Sequence, residues 1–374
     1  MKLNGTRLKE ARYFRKMTIT DLAEKIGVTK QMISRYERET GEPSLETFQK
    51  IVSALKFPVN FFTESDSNNF CSQGTFYRSR LTATQTEKRP SEFYQKAACY
   101  IRDYFETMIE FPELPKFDRS FDSPEEAANY IRKIWRLGAT PIPNMIRLLE
   151  EHGMIIYIAE NDSKKVNAHS GWMNIGDRAY FIIALDSNSN NFFNQQFSLA
   201  HELGHYVLHS GVNPQIIEKE EYRKMEQEAE EFASCFLLPS DMFKKSICNF
   251  ENDLEHYIAL KFKWYTSMNA MVVRARHLRL IDADTYSKLQ KRISYRKWRK
   301  KEPGDEKIKL MKPQVFKMAF NLLVDNGLLE PSLLSDEIAM HYQVSLPNEV
   351  LSQIIGIDLN KFKGEIVKLK VSNK

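Results

Sequence analysis

The chain has 374 residues, room for two or three domains at roughly 150 residues each. Apolar residues make up 42 % and charged residues 28 %, and 24 Phe with 16 Tyr exclude wholesale disorder. No apolar run approaches the ~18 residues of a membrane span, so no membrane partner is expected. The opening MKLNGTRLKEARYFRK has no apolar core behind its charges and is not expected to be a signal peptide. The four cysteines (Cys71, Cys99, Cys235, Cys248) lack CxxC spacing, which fits a reduced, cytoplasmic chain better than a disulfide scaffold.

Charge is unevenly spread. Residues 1 to 57 hold twelve basic and seven acidic side chains, and this excess of five equals the net charge of the whole chain, +5. A small basic module is therefore expected at the N-terminus. Leu8, Ala11 and Phe14 suit a first helix. Thr18 caps a second, with Asp21 in the capping-box position and Gly27 at its end. Thr29 caps a third, Lys30 to Arg38, with Ile33 and Tyr36-Glu37 inward; Pro43-Ser44 opens a fourth along Leu45, Phe48, Ile51, Val52 and Leu55. Residues 64–90 are polar, lack apolar periodicity and read as a linker. The stretch 91–152 reads as helical, Met154–Ile158 and Ala179–Leu185 as strands, and helices dominate from there on.

Two short helices joined at Gly27, the second starting at a Thr cap, form a helix-turn-helix pattern, in which the start of the second helix enters the major groove. Thr29, Lys30, Gln31, Ser34, Arg35 and Arg38 are then the expected contacts to a double-stranded DNA operator: Gln reads adenine, and Arg or Lys reads guanine or holds phosphate. The segment DLAEKIGVTKQMISRYERETGEPSLETFQKIVSAL resembles the Xre/Cro-CI type of helix-turn-helix domain; Ile19 stands where that family often has a Gln. A helical domain that binds protein is the alternative.

Residues 201–205 read HELGH. On a helix, positions i and i+4 share a face, so His201 and His205 can reach one zinc ion, with Glu202 beside them as general base for a water. A catalytic zinc needs a third protein ligand. Downstream, EYRKMEQEAEEFASCFLLPS has an apolar face of Met225, Ala229, Phe232, Ala233 and Phe236. Of its glutamates, Glu226 lies nearest the centre of that face, Glu228 and Glu230 lie on its edges, and Glu231 points away. An inward carboxylate needs a partner, and a zinc ion is one. Glu230, one turn on, is placed to hydrogen-bond a ligating His from behind. His209, one turn beyond His205, is expected to support the ligands or to pack, rather than to close a structural site.

QQFSLAHELGHYVLH and EQEAEEFASCFLLP together resemble the ImmA/IrrE family of metallopeptidases, and NAHSGWM, TFYRSR at 75 to 80 and the helical C-terminal region extend the resemblance. It implies His201, His205 and Glu226 as zinc ligands, Glu202 as base, and a protein substrate, typically a repressor cleaved on a stress or mobile-element signal. Glu230 stands where that family usually has Asn or Asp.

The fold class expected is mainly α with a small β-sheet (α+β). The division is a helix-turn-helix domain at 1–63, a linker at 64–90, a zincin-like metallopeptidase domain at 91–265 and a helical C-terminal region at 266–374. The expected function is a DNA-binding regulator with a zinc endopeptidase domain, acting as a homodimer on paired half-sites. The alternative is a transcription factor whose zinc fold is a non-hydrolytic, antitoxin-like scaffold. The basic run KRISYRKWRKK (291–301) reads as a solvated face with one anchoring Trp, and Leu333–Val344 as a second helix-turn-helix-like unit suited to packing or partner binding.

Overall fold

The computed structural model describes residues 2–65, 85–117, 119–159, 168–187, 191–212 and 217–363 and the strand 70–76; over 70–76 and 85–89 the backbone alone is described. Residues 77–80 of the TFYRSR motif and 364–374 lie outside the described residues.

The N-terminal domain contains α1 (Gly5–Phe14), α2 (Ile19–Ile26), α3 (Lys30–Glu37) and α4 (Leu45–Leu55). Each forms where its cap dictates. Asn4, Thr18, Thr29 and Ser44 each accept a backbone N–H of the first turn, and Asp21 completes the capping box at Thr18. Gly27 ends α2 at φ 74°, the left-handed conformation that a side chain resists. Not every cation of the basic module faces solvent. Arg12 is buried and grips Glu37 at 2.6 Å, tying α1 to α3; Arg7 is buried beside Glu10.

The rest of the chain builds on α5 (Gln85–Glu106), α6 (Pro124–Ile134) and α7 (Met145–Glu150). Next come β2 (Ile155–Ala159), β3 (Ala168–Ile175) and β4 (Arg178–Asp186), then α8 (Phe192–Leu208) and α9 (Lys219–Leu237). The remaining helices are α10 (Ser240–Ile247), α11 (Leu254–Trp264), α12 (Met268–His277), α13 (Ala283–Tyr295), α14 (Val315–Asp325), α15 (Leu334–Tyr342) and α16 (Asn348–Ile355). With β1 (Phe70–Phe76), the strands form one sheet in the order β1-β3-β4-β2, with β2 parallel to β4 and the other pairs antiparallel.

The sheet corrects two expectations. The stretch 64–90 is not a linker throughout: β1 pairs with β3, and α5 begins at Gln85. Glu64 is also held, by the backbone N–H of Ser345 at 2.8 Å. Residues 168–175, expected only as a motif before the second strand, are themselves a strand. β1 contains Ser72, Gln73, Gly74 and Thr75, a polar stretch that no alternation reveals; its partner strand, not its own apolarity, makes it a strand.

One face of the sheet carries Ile156, Phe181, Ile183 and Leu185 into a core with α8 and α9. The other carries Tyr157, Ile182 and Ala184 into a second core with α5, α14–α16 and the whole N-terminal domain. At the domain junction Phe93 of α5 touches the rings of Phe14, Phe57 and Phe61 at 5.0, 5.5 and 6.0 Å between centroids, and Arg15 pairs with Glu349 of α16. The N-terminal domain is thus packed onto the body. Leu333–Val344 contains α15, which packs on the body: Ile338 and Tyr342 are buried and Tyr342 donates to Asp103 at 2.6 Å. In the basic run Tyr295 is 89 % exposed and Trp298 packs against the core. Among the described residues no helix is long and apolar enough to cross a membrane.

Candidate metallopeptidase site and DNA-facing surface

Asn191 caps α8 by accepting the N–H of Asn194 at 2.9 Å. The helix runs through the core, so that His201 and His205 are 4 % and 1 % exposed. It lies against α9 at Gly204, where the missing side chain lets the two backbones approach. That approach brings Glu226 over the two imidazoles. His201 Nε2 and His205 Nε2 lie 3.1 Å apart. Glu226 Oε2 is 3.5 Å from the first and Oε1 is 3.4 Å from the second. Ligand atoms at about 2.1 Å from a tetrahedral zinc ion stand about 3.4 Å from one another. The triangle therefore has the size of three corners of a zinc site, and two imidazoles with one carboxylate are a donor set that suits zinc. No other group of three such side chains converges in this way among the described residues.

Proton placement supports the same geometry. Glu228, not Glu230, is the carboxylate behind the histidines: its Oε2 accepts from His209 Nε2 at 3.1 Å. His209 Nδ1 is then an acceptor, 3.1 Å from His205 Nδ1, which donates to it. His205 Nε2 faces Glu226 and His201 on the opposite side of the ring. Burial, then the neighbouring His205, lowers the His209 pKa to about 4, so that it stays neutral in this relay. Burial pushes the Glu226 carboxyl upward, but hydrogen bonds to His201 and His205 outweigh it and hold it well below the usual carboxylate range. Glu226 is an anion facing the site.

Glu202, on the turn between the two histidines, is buried and accepts a hydrogen bond from Ser170 Oγ of β3. The neighbouring His169 bonds Ser91 of α5, which fixes this part of β3. The expected role of Glu230 is corrected: its side chain is exposed and lines a groove of about 630 Å³ with Gln227, Ser234 and His277. The helical wheel put Glu228 and Glu230 on opposite edges of the α9 face, and only the packing of α8 selects Glu228. Ser170 was missed because nothing local distinguishes a serine in HSG until the strand is paired. Cys235 is a buried thiol beside Arg274 Nη1 at 3.1 Å, its pKa pushed up to about 12 by burial.

On the N-terminal domain, Thr29, Lys30, Gln31, Arg35 and Arg38 are exposed on one side of α3, with Ser34 half-buried and bonded to Arg38. Ile33 and Tyr36 point into the core.

Comparison with known proteins agrees with both halves. Residues 149–276 match the peptidase family described as IrrE N-terminal-like domain, and residues 8–62 match the helix-turn-helix family. The chain joins a helix-turn-helix domain to an IrrE-like peptidase domain. The IrrE-like match spans β2 to α12 and so includes His201, His205 and Glu226. An uncharacterized HTH-type transcriptional regulator of Sinorhizobium fredii is 33 % identical over 69 residues, 18 % of this chain and about half (48 %) of that relative's length.

Proposed function

We propose that this chain is a cytoplasmic, DNA-bound zinc endopeptidase that cleaves a repressor-like protein. The observation that carries the reading is the triangle of His201, His205 and Glu226 with the carboxylate of Glu202 beside it. Held by those three side chains, a zinc ion supplies Lewis acidity to a peptide carbonyl and to a water. Glu202 takes a proton from the attacking water and passes it to the leaving amine nitrogen. Ser170 orients Glu202 by donating to it, and Glu228 and His209 favour the His205 tautomer that leaves Nε2 free for the metal. Lys30, Gln31 and Arg35 contact an operator, which brings the peptidase to the protein bound there. A dimer reading paired half-sites fits this arrangement.

The test is Glu202→Gln in cells carrying the chain and its neighbouring repressors. Under the inducing stress, a repressor is expected to disappear with wild type and to persist with the variant, zinc content being equal in both. Loss of repression that survives Glu202→Gln would instead assign the chain a non-hydrolytic, scaffold role. For the DNA half, Gln31→Ala with Arg35→Ala is expected to weaken operator binding at least tenfold and leave zinc content unchanged.

A further inference from the structure

We propose that the outer edge of β3 is a docking surface for an extended peptide strand, and that β1 is its resident occupant, so that the chain blocks its own peptidase site until β1 leaves. The proposal rests on the metallopeptidase reading for its consequence, but not for the surface itself.

β3 is the strand that meets the catalytic helix, through Ser170 and Glu202. On its inner side β3 is paired with β4 along its whole length. On its outer side β1 runs antiparallel, with Phe70 opposite Ile175, Thr75 opposite Gly171 and Phe76 opposite Ser170. The end of β1 is therefore aligned with the residue that holds Glu202. Without β1, β3 would be an edge strand with a free row of N–H and C=O groups leading to the site. Such an edge captures extended chains of almost any sequence through main-chain hydrogen bonds. A peptide paired there takes the same register as β1 and passes Glu202 at Ser170. Peptide and β1 cannot both occupy that edge.

β1 is suited to a removable occupant. Its register shifts between Ser72 and Thr75, a stretch that contains Gly74, so its ladder is interrupted and weaker than a continuous one. In the chain it lies directly between the DNA-binding domain and α5, so the segment that joins the two domains is also the one that covers the site edge.

The register supplies a lock. Cys71 lies opposite Asn174, so Asn174→Cys is placed to form a disulfide that pins β1 to β3. The experiment uses the full chain in a Cys248→Ser background, Cys248 being an exposed thiol. The probe is a fluorescein-labelled peptide of residues 70–76 with Ser in place of Cys71, its binding read by anisotropy. A second variant, Thr75→Pro with Phe76→Pro, removes the one ladder donor that these two neighbours provide. The oxidised lock is expected to bind the probe at least tenfold more weakly than the same protein after reduction. The double-proline variant is expected to bind it at least tenfold more tightly than wild type. Equal binding by the oxidised and reduced lock would overturn the proposal, as would weaker binding by the double-proline variant at unchanged zinc content. Cleavage measured on the same proteins separates the two readings. Probe binding that follows the lock without any Glu202-dependent cleavage would keep the docking surface and end the peptidase reading. Cleavage that ignores the lock would do the reverse.

Discussion

Gly204 of α8 faces the backbone of Ala229 of α9 so closely that a Cβ at 204 would lie 3.1 Å from both its Cα and its carbonyl oxygen, and 3.2 Å from Cδ1 of Phe232. Two of these three contacts are backbone, so relief requires the helices to part. Gly204→Ala gains up to ~1 kcal/mol of helix propensity and loses about 1–3 kcal/mol to overpacking. The net expectation is a loss of about 1 kcal/mol in unfolding free energy, with weaker zinc binding as Glu226 moves off the histidines. Calorimetry and a chelator competition check both. Unchanged zinc affinity would show that α9 yields without displacing Glu226.

The relay behind His205 makes a graded prediction. Glu226→Ala removes a ligand, and elemental mass spectrometry is expected to find the zinc lost. His209→Ala removes only the acceptor of the His205 Nδ1–H, so zinc is expected to remain at saturation with about 10–100-fold lower affinity. Glu228→Ala should resemble His209→Ala. Full zinc occupancy in Glu226→Ala would remove the three-ligand site from consideration.

The reasons these residues differ in legibility are physical. His201, Glu202 and His205 are readable because helical spacing alone puts them together. Glu226 follows from one more local argument, an inward carboxylate on an apolar face. Glu228 and Ser170 are fixed by which helix or strand packs opposite, and no local pattern encodes that. The caps at Thr18, Thr29 and Ser44 are local and were legible; β1 draws its strand character from β3 and was not. Arg12 shows the same limit for charge: in the sequence it counts towards a basic surface, whereas in the fold it is buried against Glu37.

Phe93 tests whether the DNA-binding domain is an independent unit. Its ring is buried and touches Phe14, Phe57 and Phe61 across the junction. Truncation of a buried Phe costs about 3–5 kcal/mol. Phe93→Ala is therefore expected to destabilise the N-terminal domain as much as the body, while wild type melts without an early N-terminal transition. An N-terminal transition that is separate in wild type and unmoved by Phe93→Ala would show that the junction carries little energy.

Burial of His169 makes the stability of the fold depend on pH. It is buried between β3 and α5, and burial lowers its pKa from 6.5 to about 4. The unfolded chain therefore binds a proton at this position in a range where the folded chain does not. Its contribution to stability is fully present above pH 6.5 and is lost as pH falls towards 4, a change of about 3 kcal/mol. His169→Gln keeps an amide in reach of Ser91 and does not titrate. Denaturant unfolding between pH 7 and pH 4 is expected to show a shallower loss of stability in this variant than in wild type, with the gap closing above pH 6.5 apart from a constant offset. Parallel pH profiles for the two proteins would mean that protonation of His169 is not what acid acts on.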